Sequence, residues 1–130
     1  MKNFNRAGRA ALGSIGALAL MSSAYAAGDA AAGAKLFTQC SACHTVGPDA
    51  QNSVGPVLNG VVGRKAGTFP AYRYSSAMRK SGLVWDEATL AKYLRAPEQV
   101  VPGTKMAFAG LTSEQDLANV IAYLEQQTQQ

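Results

Sequence analysis

The run Cys40-Ser41-Ala42-Cys43-His44 holds both cysteines and the only histidine of this 130-residue chain. It limits what the chain can fold into more than any other stretch. C-x-x-C-H is the spacing at which a c-type haem is attached. Each thiol can add across one vinyl group to give a thioether, and the adjacent imidazole then lies close enough to the iron to become its proximal ligand. The spacing is short because the two vinyls lie on neighbouring pyrroles, so one turn of chain must reach both.

Other readings of the motif fail by counting. A structural zinc site needs four ligands, and cysteine and histidine supply only three here. A thioredoxin-like C-x-x-C belongs in a βαβ context, whereas the residues before Cys40 are alanine-rich and helical in pattern. A Cys40–Cys43 disulfide would close a tiny loop with little entropic benefit. One covalent haem c on Cys40 and Cys43 is the reading that remains.

The N-terminal segment bears on the compartment. Lys2, Arg6 and Arg9 precede an apolar stretch from Ala10 to Met21, and Ala24-Tyr25-Ala26 fits a small-x-small cleavage site. The apolar run is too short to span a membrane, and there is no twin-arginine pair. Residues 1–26 read as a Sec-type signal peptide, with the haem attached after export to the periplasm; retention as an anchor is the alternative. Without those three cations, nine basic residues face eight acidic ones, so the net charge falls from +4 to +1. The basic character therefore reports targeting, and nucleic-acid binding has no support. Residues 27–130 form one domain by length, in which a buried haem would be a large part of the apolar interior.

The pattern is helical throughout. Asp29 is a suitable N-cap for a first helix through Ala30–Ala34, Leu36 and Phe37. A short helix follows Ser75 and ends near Ser81-Gly82. Asp86 caps a third, carrying Leu90, Tyr93 and Leu94 and stopped by Pro97. Thr112-Ser113-Glu114-Gln115 reads as a capping box, and Leu117, Val120, Ile121 and Leu124 then form the stripe of an amphipathic helix. No segment alternates with a period of two. Gly33, inside the first helix, is either a point of close helix approach or a tolerated surface glycine. Long connections, Val46–Gly67 and Pro97–Gly110, suit a chain wrapped around a cofactor.

The second axial ligand follows by elimination. The one histidine is already used, and Met1 and Met21 leave with the signal. Met78 lies in a helical stretch; Met106 lies in Pro102-Gly103-Thr104-Lys105-Met106, an irregular loop free to present a side chain. Methionine is commonly core packing, but an electron-shuttling haem needs a soft neutral sixth ligand, and position favours Met106.

These features together resemble the class I cytochromes c of mitochondrial type, including soluble carriers of purple bacteria. The supports run along all of residues 27–130: Gly33 and Phe37, Cys40–His44, Val54-Gly55-Pro56, Gly63-Arg64-Lys65, Tyr74, Trp85, Tyr93-Leu94, Pro102 to Met106 with Phe108-Ala109-Gly110, and Ile121-Ala122-Tyr123-Leu124. The resemblance implies an all-α single domain of helices and long loops around one haem. His44 and Met106 would be the iron ligands, and the first and last helices would cross at Gly33. It further implies that the Pro56 carbonyl faces the His44 ring, that Arg64, Tyr74 and Trp85 surround the propionates, and that Tyr93 approaches the methionine sulfur; simple core filling by Trp85 also stands. Met78 departs from the family, which often carries a polar Asn there, and implies a drier pocket. Ser75 replaces a common Thr, and Pro97-Glu98-Gln99-Val100 stands where mitochondrial relatives carry lysines.

The function expected is a monomeric periplasmic electron carrier without a small-molecule substrate. Its donor would be a quinol-oxidising cytochrome complex, and its acceptor a terminal oxidase, a photosynthetic reaction centre or a periplasmic reductase. An enzyme or gas sensor with an open sixth position is the competing class, and Met106 in its loop argues against it.

Overall fold

The computed structural model describes residues 27–128; the predicted signal peptide, residues 1–26, lies outside them. Five α-helices follow in order, α1 Ala30–Leu36, α2 Ser76–Lys80, α3 Glu87–Arg95, α4 Pro97–Val100 and α5 Glu114–Glu125, with a 3₁₀ turn, Phe37–Gln39, continuing α1. Among the described residues there is no strand beyond one isolated antiparallel bridge between Lys65 and Val84. No helix among them is long and apolar enough to cross a membrane.

The helix starts follow from capping side chains. Asp29 Oδ1 accepts from the amides of Ala31 and Ala32 at 2.8 and 3.3 Å, and the Asp86 carboxylate accepts from Thr89 N at 2.7 Å. Ser75 Oγ accepts from Met78 N at 3.0 Å. Each satisfies an amide that the first turn leaves without an intrahelical partner.

Two expectations need correction. The N-cap of α5 is Ser113, one residue later than predicted, and it accepts from Asp116 N at 3.2 Å. Gln115, the residue expected to close the box, instead donates to Asn119 Oδ1 within α5. Pro97 does stop α3, but it also opens α4 as its first residue, so the connection Pro97–Gly110 is partly helical. A proline ring has the φ a helix needs and lacks only an amide that the first turn would leave free.

Helices α1 and α5 form the main packed pair. They meet at Gly33, where a Cβ would lie 1.9 Å from the Asn119 carbonyl oxygen, so no larger residue fits. That settles the two readings of Gly33 in favour of close approach. Asn119, buried in α5, accepts the Asp29 amide at 2.8 Å through Oδ1 and ties the start of α1 to the crossing. One turn on, the rings of Phe37 and Tyr123 pack with centroids 5.2 Å apart. The predicted stripe of α5, Leu117, Val120, Ile121 and Leu124, is buried throughout.

Residues 40–75 contain no helix, and side-chain amides hold them instead. Asn59 exchanges two hydrogen bonds with the backbone of Gly47, at 2.9 and 2.8 Å. Asn52 donates to Pro70 O and accepts from Val57 N. These bonds satisfy backbone groups that no ladder or helix serves, and they fix one side of a deep cleft.

Candidate functional site

The Cys40–His44 run is wound as helical turns off the end of α1. Cys40 N and Ser41 N donate to Phe37 O at 2.8 and 3.0 Å, and Cys43 N and His44 N donate to Cys40 O at 3.0 and 2.9 Å. The winding brings Cys40, Cys43 and His44 to one cleft of about 220 Å³. Both thiols are free and half-buried. Burial, reinforced by the neighbouring Cys43, pushes the Cys40 thiol above its ordinary value.

His44 is held at one nitrogen. Its Nδ1–H donates to the Pro56 carbonyl at 2.8 Å, as the resemblance implied. A carbonyl can only accept, so the proton sits on Nδ1 and the Nε2 lone pair stays free. The ring packs closely against Gly55, where a Cβ would come 2.4 Å from His44 Cε1. Burial lowers the imidazole pKa, the Pro56 bond opposes this, and the charge of Arg64 lowers it further. The balance favours neutral imidazole, the form that binds a metal.

All eight residues singled out in the sequence line this cleft: Cys40, Cys43, His44, Arg64, Tyr74, Trp85, Tyr93 and Met106. Met78 lines it as well, so position alone still separates the two methionines. The guanidinium of Arg64 donates to Asn59 O and Val57 O, both at 3.1 Å, and lies over the Phe69 ring. Its Nε is buried without a partner. The Tyr74 hydroxyl accepts from Phe69 N at 3.1 Å, and burial raises its pKa. Trp85 packs on Tyr93 with centroids 4.8 Å apart and is itself buried, so it fills the core as well as lining the cleft. The Tyr93 hydroxyl pairs with Thr104 Oγ1 at 2.7 Å, two residues before Met106 in the same cleft wall.

The residues fit a haem. Two thiols at vinyl spacing, an imidazole with a free lone pair, thioethers and aromatic faces suit an iron macrocycle, and the unpartnered Arg64 Nε suits an acidic edge.

Thr104 and Tyr72 were not read from the sequence. Thr104 carries a cue in hindsight, since a hydroxyl two residues before a candidate ligand can brace its loop. Tyr72, whose hydroxyl donates to Val54 O at 2.7 Å, carries none, because its partner is 18 residues away.

The family model for cytochrome c matches residues 30–128. The chain belongs to the cytochrome c family. It is 60% identical over 111 residues to a cytochrome c2 of Rhodomicrobium vannielii, covering 85% of this chain and 89% of the relative. It is 56% identical over 100 residues to a cytochrome c2 of Rhodoblastus acidophilus, covering 77% and 94%. Among solved structures it resembles cytochrome cH from Methylobacterium extorquens, with 49% identity, a TM-score of 0.73, and 76% and 99% of the two chains covered. Family membership implies haem c bound through the C-x-x-C-H run, and the fold is that of a class I cytochrome c.

Proposed function

We propose that the chain is a mono-haem electron carrier of the periplasm and not an enzyme. It would pass single electrons from a quinol-oxidising cytochrome complex to an oxidase, a reaction centre or a reductase. The observation that carries this reading is the convergence in one cleft of both thiols, an imidazole held at Nδ1, and Met106. When bound, the haem supplies reversible one-electron exchange at iron. The chain's own residues do the rest. Cys40 and Cys43 would tether the group and His44 would donate through Nε2, while Pro56 keeps the ring from turning and fixes the tautomer with its proton on Nδ1. Met106 supplies a soft neutral donor that favours the lower charge state. Arg64, Tyr74 and Trp85 line the part of the wall assigned to the propionates. Thr104 holds the Tyr93 hydroxyl, so that polar group enters the cleft with its bond already made.

The likeness to two proteins named cytochrome c2 supports a soluble carrier, and the signal-like residues 1–26 support export. Docking would be transient and monomeric. The decisive experiment is a visible spectrum of the purified protein, oxidised and reduced, with and without CO. A carrier with both axial positions filled shows a far-red iron–thioether band when oxidised and leaves CO unbound when reduced. Ready CO binding by the native protein would instead support the gas-sensor or enzyme class.

A further inference from the structure

Met78 belongs to the buried core cluster and also faces the cleft. It is the only buried residue of α2, at 8% exposure, and its side chain lines the same cleft as Met106. Its backbone is pinned on both sides: Met78 N donates to Ser75 Oγ at 3.0 Å, and Ser81 Oγ donates to Met78 O at 2.9 Å. The helix is also wedged from behind, since a Cβ at Gly67 would come within 3.0 Å of Arg79 Cα and 3.2 Å of Met78 O. Met78 is therefore a flexible apolar side chain on a fixed mount.

The segment bearing Met106 is mounted differently. Both hydrogen bonds of the Met106 backbone are local, from Met106 N to Thr104 Oγ1 at 3.3 Å and from Phe108 N to Met106 O at 3.1 Å, and residues 101–113 contain no regular structure. That segment lies beside α2. A Cβ at Gly103 would sit 3.4 Å from Ala77 Cβ, and Lys105 Nζ donates to Arg73 O at 2.6 Å. Met106 packs against the buried cluster that includes Met78.

We propose that Met78 is a positioning residue for Met106, filling the cleft from the α2 side so that the Met106 side chain, held by packing alone, cannot swing away. The proposal rests on Met106 being the sixth ligand. A methionine suits the task because its unbranched thioether adapts to a moving neighbour without adding a polar group.

The test uses holoprotein carrying Met78→Ala, Met78→Gln or Met78→Leu. The far-red band of the oxidised form is followed through thermal and alkaline titrations, with far-ultraviolet circular dichroism on the same samples. CO uptake by the reduced form is measured alongside. In the Ala and Gln variants the band is expected to vanish while the helix signal is still intact. CO uptake is expected to rise roughly tenfold or more, because a cavity or an unsatisfied amide beside the segment shifts its opening equilibrium. Met78→Leu, which restores apolar volume, should behave as the parent. Should Met78→Ala fail to fold, Met78→Gln keeps the side-chain length and carries the comparison. A band that persists as in the parent, or one lost only together with the helix signal, overturns the positioning role. A parent holoprotein lacking the band would overturn Met106 as ligand, a failure visible before any Met78 variant is made.

Discussion

The two walls of the cleft are built by different means. On the His44 side, polar bonds dominate: Pro56 O takes the ring proton, Gly55 N and Ser53 Oγ donate to Cys43 O at 2.8 Å each, and Leu58 N donates to Thr45 O. Asn52 and Asn59 extend this net through the long loop. On the Met106 side, the bonds fall on its neighbours: Thr104 N donates to Val101 O, Gly103 N to the Glu98 carboxylate and Lys105 Nζ to Arg73 O, and Thr104 Oγ1 pairs with the Tyr93 hydroxyl, while the Met106 thioether is placed by packing. The difference follows from the chemistry of the two side chains. An imidazole has a tautomer, a ring orientation and a titratable proton to set, and only hydrogen bonds can set them. A thioether has no proton, so packing suffices to place it.

The comparison breaks most severely at His44. His44→Ala should abolish normal haem binding and leave the chain largely unfolded, because core residues such as Phe37, Trp85 and Leu124 line the cleft that the group would fill. Purification of a folded, low-spin holoprotein from this variant would contradict the role given to His44.

Gly55→Ala attacks the same wall without removing a ligand. The added methyl would overlap the ring, so either the imidazole or the Asn52–Leu58 loop must move. A loss of about 1–3 kcal/mol in stability is expected, as for an overpacked interior, together with a shifted haem spectrum. Denaturant unfolding that matches the parent would show that the His44 wall yields more easily than its bonding suggests.

Met106→Ala should cost less in folding and more in ligand control. The reduced variant is expected to bind CO, lose the far-red band and show a lower potential, while the His44 wall stays intact. If the band survives Met106→Ala and disappears in Met78→Leu, the two methionines have been assigned the wrong way round.

The smallest effect concerns the outer surface. Of the five lysines in the described residues, only Lys105 lines the cleft, and its ammonium is bonded to Arg73 O. Val54, at 71% exposure, and the partly covered Phe108 also line it. Docking at this mouth should rely on apolar contact more than on steering. Near physiological strength salt screens charges over about 8 Å, so transfer to a quinol-oxidising complex should slow only slightly as salt rises. A steep decline would show that the other four lysines face the partner after all.

Much of the molecule was legible in one dimension. The haem run, the caps Asp29, Ser75 and Asp86, and the α5 stripe depend on spacings of a few residues, which local chemistry dictates. The cap at Ser113 was displaced by one position because two adjacent hydroxyl residues, Thr112 and Ser113, offer the same chemistry. Pro97 was read as a stop although its ring suits a helix start equally well. The partners were a different matter. Gly33 could not be told from a surface glycine until Asn119, 86 positions on, was seen against it. The pairing of Tyr93 with Thr104 and the mounting of Met78 beside the Met106 segment likewise appear only in the folded chain. The sequence by itself determined the C-x-x-C-H run by which the family implies haem c, with His44 beside the two thiols, and where most helices begin. Only the tertiary structure decided which groups brace the ligands, because bonding and packing across a cleft depend on approach in space and leave no periodic trace along the chain.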